Sequence, residues 1–520
     1  MKLQNYKSYQ QVHIWTGIIS GLLLFICFVA GALTMFKAPL NVWAMHEKNA
    51  LPAIELNQYD SLIKTVLQTH PEASKEMTVY LPSAQPNHAP VTWTIEDDDT
   101  HSHTFWHASL DSAGKLVSEQ THISAIGDFL DHIHRTAGIP GGDEHDALGI
   151  FVMGFVCILY FVAIVSGLII FLPTWFKDLF SLRKKKSGKR FWVDFHNILG
   201  VSALPFHIII AITTIVFAYH DILYGSMQQW IYKDSPMFNR PAPTDMDRSI
   251  ERLISIEQLT KEITDIEPEF EIAELRFTGL GTPRARVLVG GELVGEIIRG
   301  PDYAFWVTDP YTASSGYTAM LPSISGVPGK VVNSFFTLHF GGFGGSFVHW
   351  VYFAMGLSGA LLFLTGNVVW VESRRKKQLQ NNAPVEQKRS VRIMARLTIG
   401  VCAGTVVGII LSLLAAKVFS IDNPNIRTYQ LIAYYIGFFT PVIYSFMMPP
   451  IKAAIHSLYL SCLQLLTTMG ITLYFSSSSL SSSIDIGVCL VSAIILLAFL
   501  FTARHLEKRR SAIPIDSVWA

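Results

Sequence analysis

The 520-residue sequence predicts a polytopic α-helical membrane protein with about eight transmembrane helices and two α+β domains outside the membrane. Half of the residues are hydrophobic and only 15% are charged, whereas soluble domains carry about 25% charged residues. Eight apolar runs are long enough to cross a bilayer, which takes about 20 helical residues. Two long polar segments, residues 38–147 and 220–346, separate some of these runs.

The first apolar run resembles a signal peptide, because Lys2 and Lys7 precede it and Ala30-Gly31-Ala32 resembles a cleavage site. It continues to Phe36, which is longer than the apolar region of about 7–15 residues in a signal peptide. We therefore expect an uncleaved anchor. The eight runs are roughly 14–36, 148–172, 197–219, 347–371, 393–418, 428–448, 453–475 and 484–503.

Lysine and arginine cluster at the ends of the runs that an eight-helix count places on one side of the membrane. Basic residues in short loops mark the cytoplasmic side. This predicts that both termini are cytoplasmic and that the two polar segments lie on the opposite side. The clusters are Lys2 and Lys7; Arg183, Lys184, Lys185, Lys186, Lys189 and Arg190; Arg374, Arg375, Lys376, Lys377, Lys388, Arg389, Arg392 and Arg396; Lys452; and Arg504, Lys508, Arg509 and Arg510.

Each polar segment begins with a helix-like stretch and continues with short alternating runs, a pattern typical of small α+β domains. The chain therefore repeats a unit of helix, outer domain, helix and basic loop, followed by four more helices with short loops. The predicted boundaries are 1–37 for helix 1, 38–147 and 220–346 for the outer domains, 148–219 for helices 2 and 3, 347–377 for helix 4, and 378–520 for a C-terminal four-helix bundle.

The cysteine positions, the charge balance and the absence of known motifs argue against several functional classes. The five cysteines all lie in apolar runs, and none forms a CxxC pair. This argues against a disulfide framework and against zinc or iron–sulfur sites built from cysteine. Lys+Arg and Asp+Glu both total 40, which argues against nucleic acid as a partner. Neither GxGxxG nor GxxxxGK[ST] is present, so no nucleotide-binding motif is visible.

Histidines carry the strongest functional signal. In four places a glycine follows a histidine by four positions, one helical turn later on the same face. Such a glycine removes side-chain bulk where a flat macrocycle needs space, and imidazole is a standard axial ligand of haem iron. The four pairs are His13 with Gly17, His134 with Gly138, His145 with Gly149, and His196 with Gly200.

Membrane depth divides the strongest candidates into two groups. His13 and His196 lie at cytoplasmic helix ends, whereas His134 and His339 precede helices 2 and 4 on the outer side. This arrangement predicts two haems, each held by two histidines, with one haem near each face of the membrane. The alternative for any one of these histidines is an interfacial polar residue without a ligand.

Other residues compete for these roles. His349 is an alternative to His339 as the outer ligand, and His145 is an alternative to His134. His207 lies eleven residues after His196, about three helical turns, so it shares the same helix face. At mid-membrane depth, His207 is interpreted as an alternative ligand, a relay residue or a buried hydrogen-bonded histidine.

Two further groups of residues have both a functional and a structural interpretation. Arg135 could neutralise a haem propionate, because guanidinium pairs well with carboxylates. The alternative is an arginine that extends its charged end to the membrane interface. The first outer domain, 38–147, also contains a group of histidines that could bind iron or copper, although a solvated sheet face is the simpler interpretation. These histidines are His101, His103, His107 and His122.

The sequence resembles bacterial membrane proteins with PepSY-associated transmembrane helices, over about residues 1–377. That family includes iron-regulated membrane proteins and di-haem siderophore reductases of the inner membrane. Two positions depart from the family pattern, Asn197 and Thr213-Thr214. The matching stretches are His13-Ile-Trp-Thr-Gly-Ile-Ile-Ser-Gly21, His134-Arg-Thr, Asp194-Phe-His-Asn-Ile-Leu-Gly200 followed by Leu204-Pro205-Phe206, and Leu338-His-Phe-Gly-Gly-Phe-Gly-Gly345.

The resemblance implies PepSY-like outer domains, a location in the bacterial inner membrane and an activity as a ferric-siderophore reductase that uses two b-type haems. It implies His13, His196, His134 and His339 as the iron ligands. The electron donor would be quinol or a cytoplasmic reductase, because no flavin or nicotinamide motif is present. The alternative functions are a siderophore or metal permease and a non-catalytic binding or regulatory membrane protein.

Overall fold

The protein is described by a computed structural model in which long apolar helices and one antiparallel sheet predominate. The described residues are 3–44, 51–82, 89–97, 102–121, 125–141, 147–179, 181–183, 188–234, 247–293, 295–300, 303–313, 315–317, 320–323, 325–376, 385–419, 425–476, 482–511, 513 and 517–520.

Fifteen α-helices lie within these described ranges. They are α1 (Leu3–Thr34), α2 (Lys37–Ala44), α3 (Tyr59–Thr69), α4 (Ile126–Thr136), α5 (Leu148–Phe171), α6 (Trp175–Asp178), α7 (Gly188–Ser202), α8 (Leu204–Met227), α9 (Ile256–Ile266), α10 (Val327–Phe340), α11 (Gly345–Arg374), α12 (Arg389–Phe419), α13 (Ile426–Met447), α14 (Pro450–Phe475) and α15 (Ser482–Arg510).

Within the described chain, eight of these helices are long and apolar enough to span a membrane: α1, α5, α8 and α11 to α15. The predicted number of spans is confirmed, and each predicted run overlaps one of the eight helices. The fold class is therefore that of a multi-pass helical membrane protein with an antiparallel sheet. The agreement follows from length, because an apolar helix must extend across the whole hydrocarbon layer.

The third predicted run, 197–219, does not form a single helix in the structure. It falls on two helices, α7 and α8, that are separated at Ala203, rather than on one helix over 197–219. Pro205 explains the break, because proline has no N–H to donate to an earlier carbonyl and its ring clashes with the preceding turn. The new helix begins with the bond from the His207 N–H to the Ala203 carbonyl, 3.0 Å. His196 consequently lies on α7, before the third spanning helix.

Eight strands form one continuous antiparallel sheet within the described residues, in the order β4-β3-β2-β1-β5-β6-β7-β8. The first four strands come from the first polar segment and the last four from the second. They are β1 (Glu76–Tyr80), β2 (Val91–Asp97), β3 (Ser102–Leu110), β4 (Leu116–Thr121), β5 (Glu271–Thr278), β6 (Arg286–Glu292), β7 (Ala304–Thr308) and β8 (Ser315–Tyr317).

The two polar segments are joined at the centre of this sheet, where β1 pairs with β5 and Met77 lies opposite Phe277. Helices α3 and α9 pack over the same face, so both segments contribute to one hydrophobic core. The division into two outer domains, 38–147 and 220–346, therefore describes two halves of a single domain. Pairing between strands this far apart in sequence is set by tertiary packing, and no local pattern predicts it.

The membrane core is arranged around α1, which packs against α5, α11, α4 and α12. The first repeat unit consists of α1, the strands β1 to β4, α4 and α5. The second consists of α7 with α8, the strands β5 to β8, α10 and α11. Each unit therefore has one short helix, α4 or α10, between its last strand and its last spanning helix.

The C-terminal bundle, α12 to α15, packs on this core through α12. Gly400, Gly404 and Gly408 lie on the face of α12 that meets α13, where an added Cβ would collide with the α13 backbone or with Ser445. Small residues at this spacing let two membrane helices approach closely. The same core contains residues of α1, α4, α5, α12 and α13.

Candidate functional site

The inner histidine pair brings together α1 and α7. The ring centres of His13 and His196 are 6.2 Å apart and the ring planes are inclined by 70°. Both side chains are partly buried between helices. The structure thus places next to each other the two histidines that the sequence assigned to the inner level.

The outer histidine pair brings together the two short helices, α4 and α10. The ring centres of His134 and His339 are 6.3 Å apart and the ring planes are inclined by 41°. The two pairs lie at different levels of α1, because His134 contacts Cys27, which is 14 residues beyond His13. At about 1.5 Å of rise per residue, the two levels are separated by roughly 21 Å along that helix.

Each inner ring is oriented by a hydrogen bond from its Nδ1 atom. His13 Nδ1 lies 2.9 Å from the carbonyl oxygen of Ala163, and His196 Nδ1 lies 3.1 Å from that of Leu362. A carbonyl oxygen can only accept, so each Nδ1 carries the proton. The lone pair of each neutral ring is therefore on Nε2. Thr365 Oγ1 is also 3.2 Å from His196 Nδ1.

Each outer ring is also oriented by a hydrogen bond from its Nδ1 atom, but the partners differ. His134 Nδ1 donates to the carbonyl oxygen of Cys27 at 2.9 Å. His339 Nδ1 lies 2.8 Å from Thr213 Oγ1, and that hydroxyl donates its own proton to the Ile209 carbonyl at 2.8 Å. The hydroxyl must then accept from His339, so this ring also has its lone pair on Nε2.

The four rings fit the requirements of iron ligation. Among the described residues, no hydrogen bond reaches the Nε2 atom of His13, His196, His134 or His339. Two imidazoles on opposite sides of one metal ion have ring centres about 6 Å apart, because a metal–nitrogen bond is about 2 Å and each ring centre is about 1 Å further away. The observed separations match this value. Hydrogen bonds that fix the other ring nitrogen are typical of metal-bound histidine.

Glycines allow the helices that carry these rings to approach their neighbours. A Cβ at Gly167 would lie 2.9 Å from the His13 ring, one at Gly366 3.2 Å from the His196 ring, and one at Gly31 2.5 Å from the His134 ring. The sequence analysis missed these three glycines, because each lies on a different helix from the ring it contacts. The sequence contains no local feature that connects any of the three to its histidine.

The glycines that follow the histidines by four positions have varied surroundings. A Cβ at Gly17 would meet no described atom within 4 Å, and one at Gly200 would meet only Leu362. Gly17 thus adjoins open space and Gly200 contacts Leu362, and the predicted role of both glycines remains a prediction. Gly138 differs, because it has a φ of 74°, lies beyond the end of α4 and contacts Tyr434. The turn conformation explains that glycine, and the prediction that it clears space on a helix face is wrong.

His207 is not part of either ring pair. It is 1% exposed, and its Nδ1 lies 2.7 Å from the hydroxyl of Tyr160. Its Nε2 is buried without a hydrogen bond among the described residues. The structure therefore favours the interpretation of His207 as a buried hydrogen-bonded histidine over that of an alternative ligand.

The other candidates lie apart from the paired rings or outside the described residues. Among the described residues, no ring contact joins His349 to either pair, and Arg135 forms an ion pair with Asp131 at 3.3 Å. His107 is buried on β3, 3% exposed, so it does not lie on a solvated sheet face as the sequence analysis assumed. His101, His122, His145 and the side chain of His103 lie outside the described residues.

An ion-pair network around the buried carboxylate of Asp194 lies close to His196 on α7. Asp194 is 0% exposed and accepts two side-chain hydrogen bonds from Arg183, at 2.9 and 2.7 Å. Arg190 lies 3.0 Å from the same carboxylate. Burial alone would raise the pKa of Asp194, but the hydrogen bonds and charges of the two arginines lower it below its ordinary value. Asp194 is thus held as a carboxylate on α7, two residues before His196.

Comparison with known protein families identifies a match over most of the chain. Residues 10–373 match the family model described as the PepSY-associated TM region. The match includes all four paired histidines and stops before α12. The comparison with curated proteins found no match.

Proposed function

This chain belongs to the family described as the PepSY-associated TM region, and from that premise we propose that it is a transmembrane oxidoreductase. In this proposal it binds two b-type haems, one at each histidine pair, and passes single electrons across the membrane. It is a haem-dependent ferric-chelate reductase, and its substrate is a ferric siderophore on the outer side. The electron donor is quinol or a cytoplasmic reductase.

One observation carries the proposal, namely the two facing pairs of imidazoles with their Nε2 lone pairs available. His13 and His196 would hold one iron, and His134 and His339 would hold the other. Haem iron held in this way takes up and releases one electron. Attachment is non-covalent, because the sequence has no CxxCH motif. The protein keeps the rings oriented through their Nδ1 hydrogen bonds, which fix the tautomer and raise ligand basicity.

Buried aromatic residues pack between the two levels: Phe28, Tyr160 and Phe363. Phe28 follows Cys27, which orients the outer pair, and Phe363 follows Leu362, which orients the inner pair. The centres of these two rings are 5.0 Å apart. Tyr160 packs against Phe363 at 5.2 Å and reaches His207 with its hydroxyl. Ring contacts therefore connect the segments that orient the outer and the inner pair.

The substrate class follows from the chemistry of iron. Siderophores bind Fe(III) through hard oxygen donors, and these donors hold Fe(II) far less tightly. One electron delivered on the outer side is therefore enough to release the metal from the chelate. The reaction adds one electron to Fe(III) and breaks no covalent bond of the chelator.

We also propose that the protein lies in the bacterial inner membrane, with both termini cytoplasmic and the sheet in the periplasm. The basic loops support this orientation, because lysine and arginine are retained on the cytoplasmic side. Reporter fusions at Asn57 and Pro268 are expected to behave as exported, and a fusion at Lys377 as cytoplasmic. An exported reporter at Lys377 would contradict this orientation.

The decisive experiment is the haem content of the purified protein, from a reduced-minus-oxidised spectrum and a haem-to-protein ratio. We expect two low-spin haems for the wild type. The variants His13→Ala and His196→Ala should each lose the inner haem, and His134→Ala and His339→Ala the outer one. His349→Ala is the matched control, because it lies on an adjacent helix outside both pairs and should retain both haems. Full haem content in all four single variants would overturn the proposal.

A further inference from the structure

The helix that carries His134 depends on its neighbours for its position. Helix α4 has 11 residues, and its Ile126, Leu130 and Ile133 side chains are 0% exposed. Isolated helices shorter than about 12–15 residues are only marginally stable in water. Whatever packs against α4 therefore determines where the His134 ring lies.

The C-terminal end of α4 is held by α13. Tyr435 donates its hydroxyl proton to the Gly138 carbonyl at 3.1 Å. Tyr434 is 1% exposed, and its ring lies 5.7 Å from the Phe129 ring in an edge-to-face arrangement. Both tyrosines belong to the segment beyond residue 373, which the family model does not cover.

The N-terminal end of α4 is held by α2. The Gly127 N–H donates to Asn41 Oδ1 at 2.7 Å, and Lys37 forms an ion pair with Asp128 at 2.6 Å. The Gly127 contact is close, because an added Cβ there would lie 2.5 Å from the Lys37 carbonyl oxygen. Helix α2 therefore fixes the first turn of α4.

The C-terminal bundle in turn holds α2. Trp43 is 1% exposed and donates its Nε1 proton to Thr472 Oγ1 of α14 at 3.1 Å. Lys417 of α12 donates to the Trp43 carbonyl and lies 5.6 Å from the centre of the Trp43 ring. A lysine that is 4% exposed is costly unless its charge is satisfied. The bundle thus reaches both ends of α4, directly through α13 and through α2.

We infer that the C-terminal bundle is a positioning element for the outer histidine pair, fixing α4 and hence the distance between His134 and His339. This inference rests on the proposed function for the identity of the ligand at that pair. It assigns a role to four helices that lie outside the matched family region. The residues that orient the inner rings, Ala163 and Leu362, lie on the spanning helices α5 and α11. Because α11 also packs against α12, the variants that test the inference are placed on α13, where Tyr434 and Tyr435 contact α4 and Gly138.

The test uses three full-length variants in detergent or nanodiscs. Tyr434→Ala removes the buried ring, Tyr435→Phe removes only the hydroxyl, and Tyr444→Phe is the control. Tyr444 lies on the same helix, where its hydroxyl is 2.6 Å from His456 Nδ1, away from α4. Amide hydrogen exchange over residues 126–138 is measured first, because it does not depend on a bound cofactor. Exchange should rise by at least about tenfold for Tyr434→Ala, less for Tyr435→Phe and not for Tyr444→Phe.

The second measurement is the low-spin spectrum and midpoint potential of each haem. Single-haem backgrounds, His13→Ala for the outer site and His134→Ala for the inner site, assign the signals. Tyr434→Ala should shift or abolish the outer signal and leave the inner one unchanged. Equal changes at both sites, or unchanged exchange in α4, would overturn the inference. If the wild type contains no haem, the proposed function fails, and the exchange result alone decides whether the bundle fixes α4.

Discussion

The two histidine pairs share one design but differ in what supports them. The inner rings lie on α1 and α7 and hydrogen-bond to the long helices α5 and α11. The outer rings lie on the short helices α4 and α10 and hydrogen-bond to a carbonyl of α1 and a hydroxyl of α8. The helix of His196 also contains Asp194, which pairs with Arg183 and Arg190. The outer helix α4 instead depends on its contacts with α2 and α13.

The two pairs have similar ring separations, but the helices that position the rings are fixed by different contacts. His13 lies on the 32-residue spanning helix α1, and His196 lies on the 15-residue helix α7, which the Asp194 ion pairs hold in place. A ring on an 11-residue helix can move when one neighbouring contact is lost. We therefore expect the outer pair to respond more strongly than the inner pair to changes in its surroundings.

The largest expected effect comes from removing one pair and following electron transfer through the other. Dithionite-reduced protein is mixed with a ferric hydroxamate in a stopped-flow instrument. His13→Ala should still be reoxidised rapidly through the outer pair but should no longer accept electrons from the physiological donor. His134→Ala should be reduced by the donor but reoxidised at least about 100-fold more slowly, because an added gap of roughly 20 Å separates the inner pair from the outer surface. Equal reoxidation rates in the two variants would show that the pairs do not act in series.

A smaller effect is expected from the glycines that contact the rings. In Gly31→Ala the new Cβ would lie 2.5 Å from His134, and in Gly167→Ala it would lie 2.9 Å from His13. Each change should displace one ring and lower haem affinity at that pair only, by about 10–100-fold. Haem loss to a scavenging apoprotein measures this effect. Gly470→Ala is the control, because no described atom lies within 4 Å of its Cβ; a comparable loss there would contradict the assignment.

The smallest effect is expected from the two threonines beside the rings. Thr213→Val removes the only hydrogen-bond acceptor of His339 Nδ1 among the described residues. Thr365→Val leaves His196 bonded to the Leu362 carbonyl. We expect about a tenfold loss of haem affinity at the outer pair for Thr213→Val, recovery in Thr213→Ser, and little change for Thr365→Val. Equal losses for the two valine variants would remove the distinction between the pairs.

The histidine positions could be predicted from the sequence because helix ends and basic loops fix the depth of each residue. Depth alone was enough to group His13 with His196 and His134 with His339. The break at Ala203 was missed, although Pro205 is visible in the sequence, because the apolar run continues through it. The short alternating runs in the two polar segments predicted strands, but the assembly of these strands into one sheet was not predicted.

The remaining features of the site depend on contacts between distant segments. Gly31, Gly167 and Gly366 have no local feature that connects them to a histidine, since each contacts a ring on another helix. The hydrogen bond from Tyr160 to His207 likewise joins α5 to α8. Such pairs are decided by helix packing, which hydrophobic periodicity does not encode in detail.

The repeat of the chain has a consequence for how the protein is made. Each repeat unit supplies one histidine to each pair, so a nascent chain that has emerged through α5 contains two half-sites and no complete one. The central pairing of β1 with β5 likewise waits for translation of the second unit. Both histidines of the inner pair are present once α7 has been translated, whereas the outer pair is complete only after α10. A chain truncated before residue 339 would therefore lack one histidine of the outer pair.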